Sequence, residues 1–484
     1  MVRNLFNQFV GAIWILLLIL LPITSMPLIA RLLGSDTVAA PAIVLLALLV
    51  IFWFIPYLLK NGKLPLHSLP LIIFALCAML STFFGFFIEL PSFKGFSFIK
   101  GNIQSLITLG IGIGFYLVAA CWPQNDEDLA KALRVINWGG FVLLLWSAMQ
   151  AVSWFGFHRY PTWMFDLQGL ISARVLYHHR VTGLALEPSW LAHQLNMLYL
   201  PLWLATSVKK YTVHSFRFFG FSLENLMLII GVTALFLTFS RIGFFAFLLM
   251  VSILLIRLNA RIINYVKNKW LEKVKPGQKN IPRISRIISV FLSIFLLTCL
   301  LITLLAGTFL LSKIDSRMAY LFDFSSKKDN PVLRYFTNLQ FGERAVYWLA
   351  GWEIFNEHPL IGVGLGNVGF YFPQKITPYG WTLIEVRRLV YRSHVLLNIK
   401  NLWVRLLAET GIIGFSVFIC WMIYLFIFAT QNLNKKNKLI SVLAWTGIFV
   451  LIALIVEGFS IDSFALPYWW ISLGLMISTY KIPS

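Results

Sequence analysis

Charge is scarce in these 484 residues: Asp and Glu number 19, Lys and Arg 40, and together they make up 12% of the chain. A soluble domain carries about 25% charged residues, so the deficit excludes a water-soluble globular protein. It excludes a disordered chain as well, which needs low hydrophobicity. Cysteine is nearly absent. Cys77, Cys121, Cys299 and Cys420 lie inside apolar runs without CxxC spacing, which excludes a disulfide scaffold and leaves four small core hydrophobes. The eight histidines are scattered, with no HExxH pattern or paired carboxylates. No catalytic metal or other cofactor is implied. Basic residues outnumber acidic ones about two to one, and the net charge is +21. The basic residues are dispersed between apolar spans, which argues against nucleic acid and for anionic lipid head groups or phosphorylated substrates.

What the chain does contain is apolar: 59% of residues are hydrophobic and mean hydropathy is +0.80. A helix needs about 20 apolar residues to cross a bilayer. Such runs fall at about 9–33, 38–59, 66–88, 103–122, 135–157, 181–206, 218–239, 242–257, 287–311, 401–429, 439–457 and 463–480. Only Ser240-Arg241 interrupts 218–257, and a turn is expected there, because an Arg in mid-helix is expensive in lipid but reaches water at a turn. The expected fold is an all-α polytopic membrane protein of about twelve transmembrane helices, with helices over 1–311, a large structured outer loop over 312–398 and three final helices over 399–484. In the short segments, 21 basic residues fall on the side of the termini and seven on the other, so both termini are expected in the cytoplasm. The first run is too long for a signal peptide and reads as an uncleaved span. The basic 257–286 loop reads as a segment held against anionic membrane lipid. Docking of a chain-length-regulating partner there is the weaker alternative.

A structured loop as long as 312–398 usually carries function. From Arg344, the residues Val346, Tyr347, Leu349, Trp352 and Phe355 recur at helical spacing, predicting an amphipathic helix on the bundle or at the interface. Asn356-Glu357-His358-Pro359 ends it. Gly362-Val363-Gly364-Leu365-Gly366-Asn367 lacks the strand–turn–helix setting of a nucleotide loop and reads as a tight, backbone-exposing turn.

Polar residues at the rims of spans carry the candidate chemistry. Glu187 precedes Pro188-Ser189 at the outer end of the sixth span, Arg241 turns the chain between spans seven and eight, and Arg344 opens the loop helix. Lys400, Asn401, Arg405 and Glu409 open the tenth span. By charge counting they share one membrane face. Arginines there can clamp phosphate or pyrophosphate oxygens, and a carboxylate or His beside them can take a proton from an attacking hydroxyl. Glu187 and His394 are the candidates for that base; His178-His179 are also external. Each residue has a bland alternative, Arg241 as a snorkelling side chain and Glu187 as a structural cap or partner.

Three stretches, Glu357–Asn367, Asn401–Gly414 and Ser240-Arg241-Ile242-Gly243, resemble in order the signatures of the O-antigen ligase/polymerase superfamily, over about residues 180–430. The resemblance implies an inverting GT-C-type membrane glycosyltransferase at the periplasmic face of the bacterial inner membrane. It would take an undecaprenyl-pyrophosphate-linked oligosaccharide as donor, and a growing glycan or lipid A core as acceptor. The family's pyrophosphate-holding arginines map to Arg241 and Arg344. Ligases carry His-Asn where this chain has Lys400-Asn401, so the ligase base is missing from its place, with His394 six residues earlier. Glu187-Pro188-Ser189 is similar to a motif of polymerase-type members. These features tilt the expectation from ligase toward polymerase. A polysaccharide or lipid transporter is the alternative from another class, but it predicts pseudo-symmetric halves and charges at mid-bilayer, and neither is visible.

Overall fold

The computed structural model describes residues 2–34, 39–273, 342–392 and 396–482, with isolated helical positions between 290 and 313. Contacts divide the chain into two units, Met1–Phe244 with Ala345–Ser484, and Phe245–Arg344. The described part of the second unit is helical apart from a turn at Lys313.

Among the described residues, most of the apolar runs become helices. In chain order they are α1 (Val2–Ile19), α2 (Pro27–Leu33), α3 (Pro41–Leu59), α4 (Leu66–Phe87), α5 (Phe98–Cys121), α6 (Asp126–Gly156) and α7 (Thr162–Ile171). There follow α8 (188–209), a two-strand hairpin of β1 (Arg217–Phe218) and β2 (Phe221–Ser222), α9 (Leu223–Leu237) and α10 (Arg241–Lys273). The next segment contains α11 (Gly342–Glu357), α12 (Val368–Lys375) and α13 (Ile384–Arg392). The chain then continues as α14 (Leu402–Asn432), α15 (Lys438–Glu457) and α16 (Pro467–Ser478).

Among the described residues, six helices are long and apolar enough to cross a membrane: α3, α4, α5, α6, α14 and α15. Each coincides with an expected span. The first expected span, 9–33, is instead broken after Ile19, and the chain re-enters helix only at Pro27. Pro22 and Pro27 lack the N–H that would continue the ladder. The sixth begins at Pro188 rather than 181, Pro being suited to a first helical position. The eighth does not end at 257: α10 runs on to Lys273, so the basic stretch as far as that residue is helical. The ninth run lies for the most part outside the described residues, as do 274–289 and 314–341.

α15 and α16 form the centre. In its most apolar stretch α15 is 89% buried, against 28% for α3, so α15 is a core helix and α3 an outer one. α15 packs between α8 and α14, and α16 lies along α5. Trp421, Trp469 and Trp470 are fully buried between them. On the outside, Ile51, Phe52 and Ile55 of α3 and Leu76, Leu80 and Phe83 of α4 are exposed, an apolar coat suited to hydrocarbon rather than water. Pro201 in α8 donates no hydrogen bond to Met197 O, and the hydroxyl of Ser472 on α16 supplies it at 2.8 Å. The turn just before, Leu195–Tyr199, is π-helical.

The segment 345–399 folds around its own core, in which Val346, Tyr347, Ala350 and Ile354 of α11 meet Phe370, Phe372, Val386, Val390 and Ile399. α11 ends at Glu357, where the Asn-Glu-His-Pro run predicts. Its buried face differs from the expected one. Val346, Ala350 and Ile354 make the stripe, whereas Leu349 and Trp352 are exposed on another face, because residues three and six after Val346 drift around a 3.6-residue turn.

Candidate functional site

The site is assembled at the end of the bundle where α8, α10 and α14 begin and α4, α9 and α15 finish. A strap over residues 172–187 lies there. Gln150 of α6 accepts from Thr182 N at 3.0 Å and Gly183 N at 2.9 Å, and donates to Gly183 O at 3.0 Å. Thr24 accepts from Leu186 N at 2.8 Å, and Tyr160 OH donates to Tyr177 O at 2.9 Å. Burial pushes the Tyr160 phenol up to about 12. Glu187 closes the strap in extended conformation at the start of α8. Its carboxylate pairs with Arg174 through Oε1 and accepts from Ser189 Oγ at 3.4 Å through Oε2. It remains partly exposed.

The strap is stitched to the next turn: Val181 N donates to Leu237 O at 2.9 Å and Arg180 Nε to Thr238 O at 2.8 Å. Phe239 takes φ +48, a left-handed conformation that costs about 1–2 kcal/mol outside glycine. Ser240 then caps α10, its Oγ accepting from Gly243 N at 3.4 Å and its carbonyl from Phe244 N at 2.9 Å. Arg241 is therefore the first helical residue, half-buried, and the expected turn falls at Ser240-Arg241.

Beneath this turn lies a cluster that the sequence alone did not point to. Asn196 Nδ2 donates at 2.7 Å both to Gly243 O and to Glu457 Oε1, while His193 Nδ1 bonds Glu457 Oε2. All three side chains are buried. The available signal was that His193 and Glu457 are ionisable residues inside apolar spans, a costly placement that needs a partner.

Glu457 ends α15, and the following Gly458 O accepts the first N–H of α14, from Leu402, at 2.7 Å. Asn401 caps α14, its Oδ1 accepting from Trp403 N at 2.9 Å and Val404 N at 3.2 Å. Lys400 before it is left-handed, φ +55, like Phe239 before the α10 cap. Its ammonium pairs with Glu385 at 2.8 Å and lies 5.0 Å over the Tyr347 ring. Arg405 is buried, with Nε 2.8 Å from Glu409 Oε2 and a second nitrogen donating to Asp462 O.

Glu409 also reaches the glycine run, accepting from Gly366 N at 3.0 Å. Gly362, Gly364 and Gly366 have φ of +71°, +90° and +83°, and the run lies along a break in α14. Val363 N and Gly364 N donate to Ala408 O and Glu409 O, each at 3.0 Å, and Ile412 N returns to Pro359 O at 2.8 Å. Ser81 Oγ of α4 shares its proton between Ile361 O and Glu409 O, 2.6 Å from each. The break is at Gly411, φ +63°, ψ −172°. The run is thus a tight backbone turn but not the backbone-exposing one expected, because its N–H groups are engaged by the protein.

Of the expected residues, Arg405 and Glu409 pair directly and Asn401 caps their helix, whereas the side chain of Glu187 bonds Arg174 and Ser189 and that of Lys400 bonds Glu385. Arg344, third residue of α11, is half-buried and closes the second unit. His394 lies outside the described residues. His178 stacks on Trp154, ring centroids 4.4 Å apart, and His179 Nδ1 accepts from Trp154 Nε1 at 3.3 Å. Among the described residues no group of His, Cys, Asp and Glu could hold a metal ion.

A bundle with six apolar helices of crossing length defines an integral-membrane protein. Residues 226–419 match the family model described as O-antigen ligase, and over that segment the chain is similar to the O-antigen ligase/polymerase superfamily. That range takes in Arg241, Arg344, Lys400, Asn401, Arg405, Glu409 and the glycine run, whereas Glu187, His193 and Glu457 lie outside it. No curated protein matches the chain.

Proposed function

We propose that the chain is an inverting GT-C-type glycosyltransferase that polymerises a glycan carried on undecaprenyl pyrophosphate, acting at the periplasmic face of the bacterial inner membrane. The observation that carries this reading is the set of hydrogen bonds by which the strap that ends in Glu187 is held, through Val181 and Arg180, to the Arg241 turn, and that turn, through Asn196 and Glu457, to the start of α14. It gathers a partly exposed carboxylate and basic side chains at one end of an apolar bundle. An acceptor hydroxyl attacks the anomeric carbon, the bond from that carbon to the pyrophosphate breaks, and undecaprenyl pyrophosphate leaves. Glu187 or His394 takes or orients the hydroxyl proton. Arg241 and, by the resemblance, Arg344 stabilise charge developing on the leaving group, a contribution of about 10²–10³ in rate for one such donor. Lys400 adds positive charge at the rim. Asn401, Arg405 and Glu409, turned into the protein, serve the substrate by holding the glycine run and the α14 start.

The ligase reading keeps the donor chemistry and places lipid A core in the acceptor groove; the description of the matched family favours it. Lys400 in place of the ligase histidine, and Glu187-Pro188-Ser189, favour the polymerase. The test is a glycan size profile from a strain lacking the gene, with lipid-linked and surface fractions side by side. Collapse to single repeat units supports the polymerase. Long chains retained on undecaprenyl but missing from the surface acceptor would establish the ligase instead.

A further inference from the structure

We propose that His193, Asn196 and Glu457 form a positioning device for Arg241; this rests on Arg241 acting in the transfer reaction. Asn196 has two amide protons, and both are used, on Gly243 O and Glu457 Oε1, each at 2.7 Å. His193 occupies the other carboxylate oxygen. Glu457 and Asn196 are 0% exposed and His193 is 3% exposed. A buried ionisable pair is a poor way to gain stability, since apolar side chains of the same volume commonly do as well. What the cluster does supply is direction: it grips a backbone carbonyl two residues past Arg241.

The grip is tight from the other side too. A Cβ on Gly243 would lie 2.7 Å from Ala192 Cβ and 3.4 Å from Asn196 Nδ2, so α10 begins in direct contact with α8. Asn196 sits in the π-helical turn of α8, a local widening often found at functional sites. Glu457 is the last residue of α15, next to the Gly458 carbonyl that takes the first N–H of α14. One carboxylate thereby ties the Arg241 turn to the helix that carries Arg405 and Glu409. None of the three residues lies within the matched family range.

The test is a double-mutant cycle on the full-length protein, assayed in membranes of the deletion strain, which hold the native lipid-linked glycan. Initial rates are measured for the wild type, Asn196→Ala, Arg241→Lys and the double variant. A misplacement of about 1 Å at a reacting group commonly costs about 10²-fold. The expected result is a loss of that order for Asn196→Ala, mainly in kcat, with the double variant no slower than Arg241→Lys alone. Losses that multiply, or a wild-type rate for Asn196→Ala, overturn the positioning role. If Arg241→Lys and Arg241→Ala both keep the wild-type rate, the clamp itself falls, and that outcome is distinct from multiplying losses. Should Asn196→Ala not accumulate, Gly243→Ala replaces it in the cycle with the same expectation, and Glu457→Gln, which keeps an acceptor for Asn196, is expected to retain most of the activity.

Discussion

Gly411→Ala is the sharpest test of how the site is built. At φ +63°, ψ −172° the backbone occupies a region essentially reserved for glycine, so alanine there is strained by about 1–3 kcal/mol. Space is missing as well: a Cβ would overlap the Leu360 carbonyl and come within 2.5 Å of Ile361 N. The glycine run must then lift off α14, giving up the hydrogen bonds from Ile412 N to Pro359 O and from Ile413 N to Leu360 O, each worth about 0.5–1.5 kcal/mol net. Together these cost about 2–6 kcal/mol, a large part of the roughly 5–15 kcal/mol that holds an ordinary domain folded. The assay is thermal unfolding of detergent-purified protein beside turnover of lipid-linked glycan. Gly110→Ala serves as the control, since nothing lies within 4 Å of the Cβ added to that helical glycine, and it should match or slightly exceed the wild type. Unaltered melting and turnover in Gly411→Ala would refute the inference that the glycine run is locked onto the break in α14.

Three further outcomes are expected. Arg405→Ala leaves the Glu409 carboxylate buried without its partner, and the loss of a buried partner typically costs about 3–5 kcal/mol; folded yield should fall sharply, and Arg405→Ala combined with Glu409→Leu should recover part of it. Arg174→Ala should cost under about 1 kcal/mol in thermal melts because the pair is half-exposed, whereas Glu187→Gln should slow turnover by about 10²–10⁴ if that carboxylate handles the proton. Gly366→Ala would drive a Cβ to within 2.7 Å of Gly101 O, opening the hydrogen bond from Gly366 N to Glu409; the melting temperature should fall, and an unchanged melt would contradict the packing described.

Local features of this chain were legible from sequence because their causes are local. Six apolar runs matched helices of crossing length, since length and composition alone decide that. The chain turned at Ser240-Arg241, where an arginine needed water, and α11 stopped at its Asn-Glu-His-Pro signal. Proline redirected two expectations, at Pro27 and Pro188, where a run of hydrophobic residues hid the break. The His193–Asn196–Glu457 cluster was not legible, because Glu457 is more than 260 residues from the other two and each looks like an isolated polar residue in an apolar helix. The inward roles of Arg405 and Glu409 were hidden for a related reason: their place at the rim of a span pointed to a substrate, and only the fold buries the pair against the glycine run and Asp462 O.

The most direct measurement uses purified protein in proteoliposomes supplied with lipid-linked glycan from the deletion strain, following both glycan size and glycan crossing of the bilayer. A lipid-linked glycan polymerase should form new glycosidic bonds with release of undecaprenyl pyrophosphate, abolished to within a few per cent by Arg241→Ala at equal protein level. Glycan-lipid crossing the bilayer with no new glycosidic bond, or an Arg241→Ala protein that works at the wild-type rate, would contradict that reading.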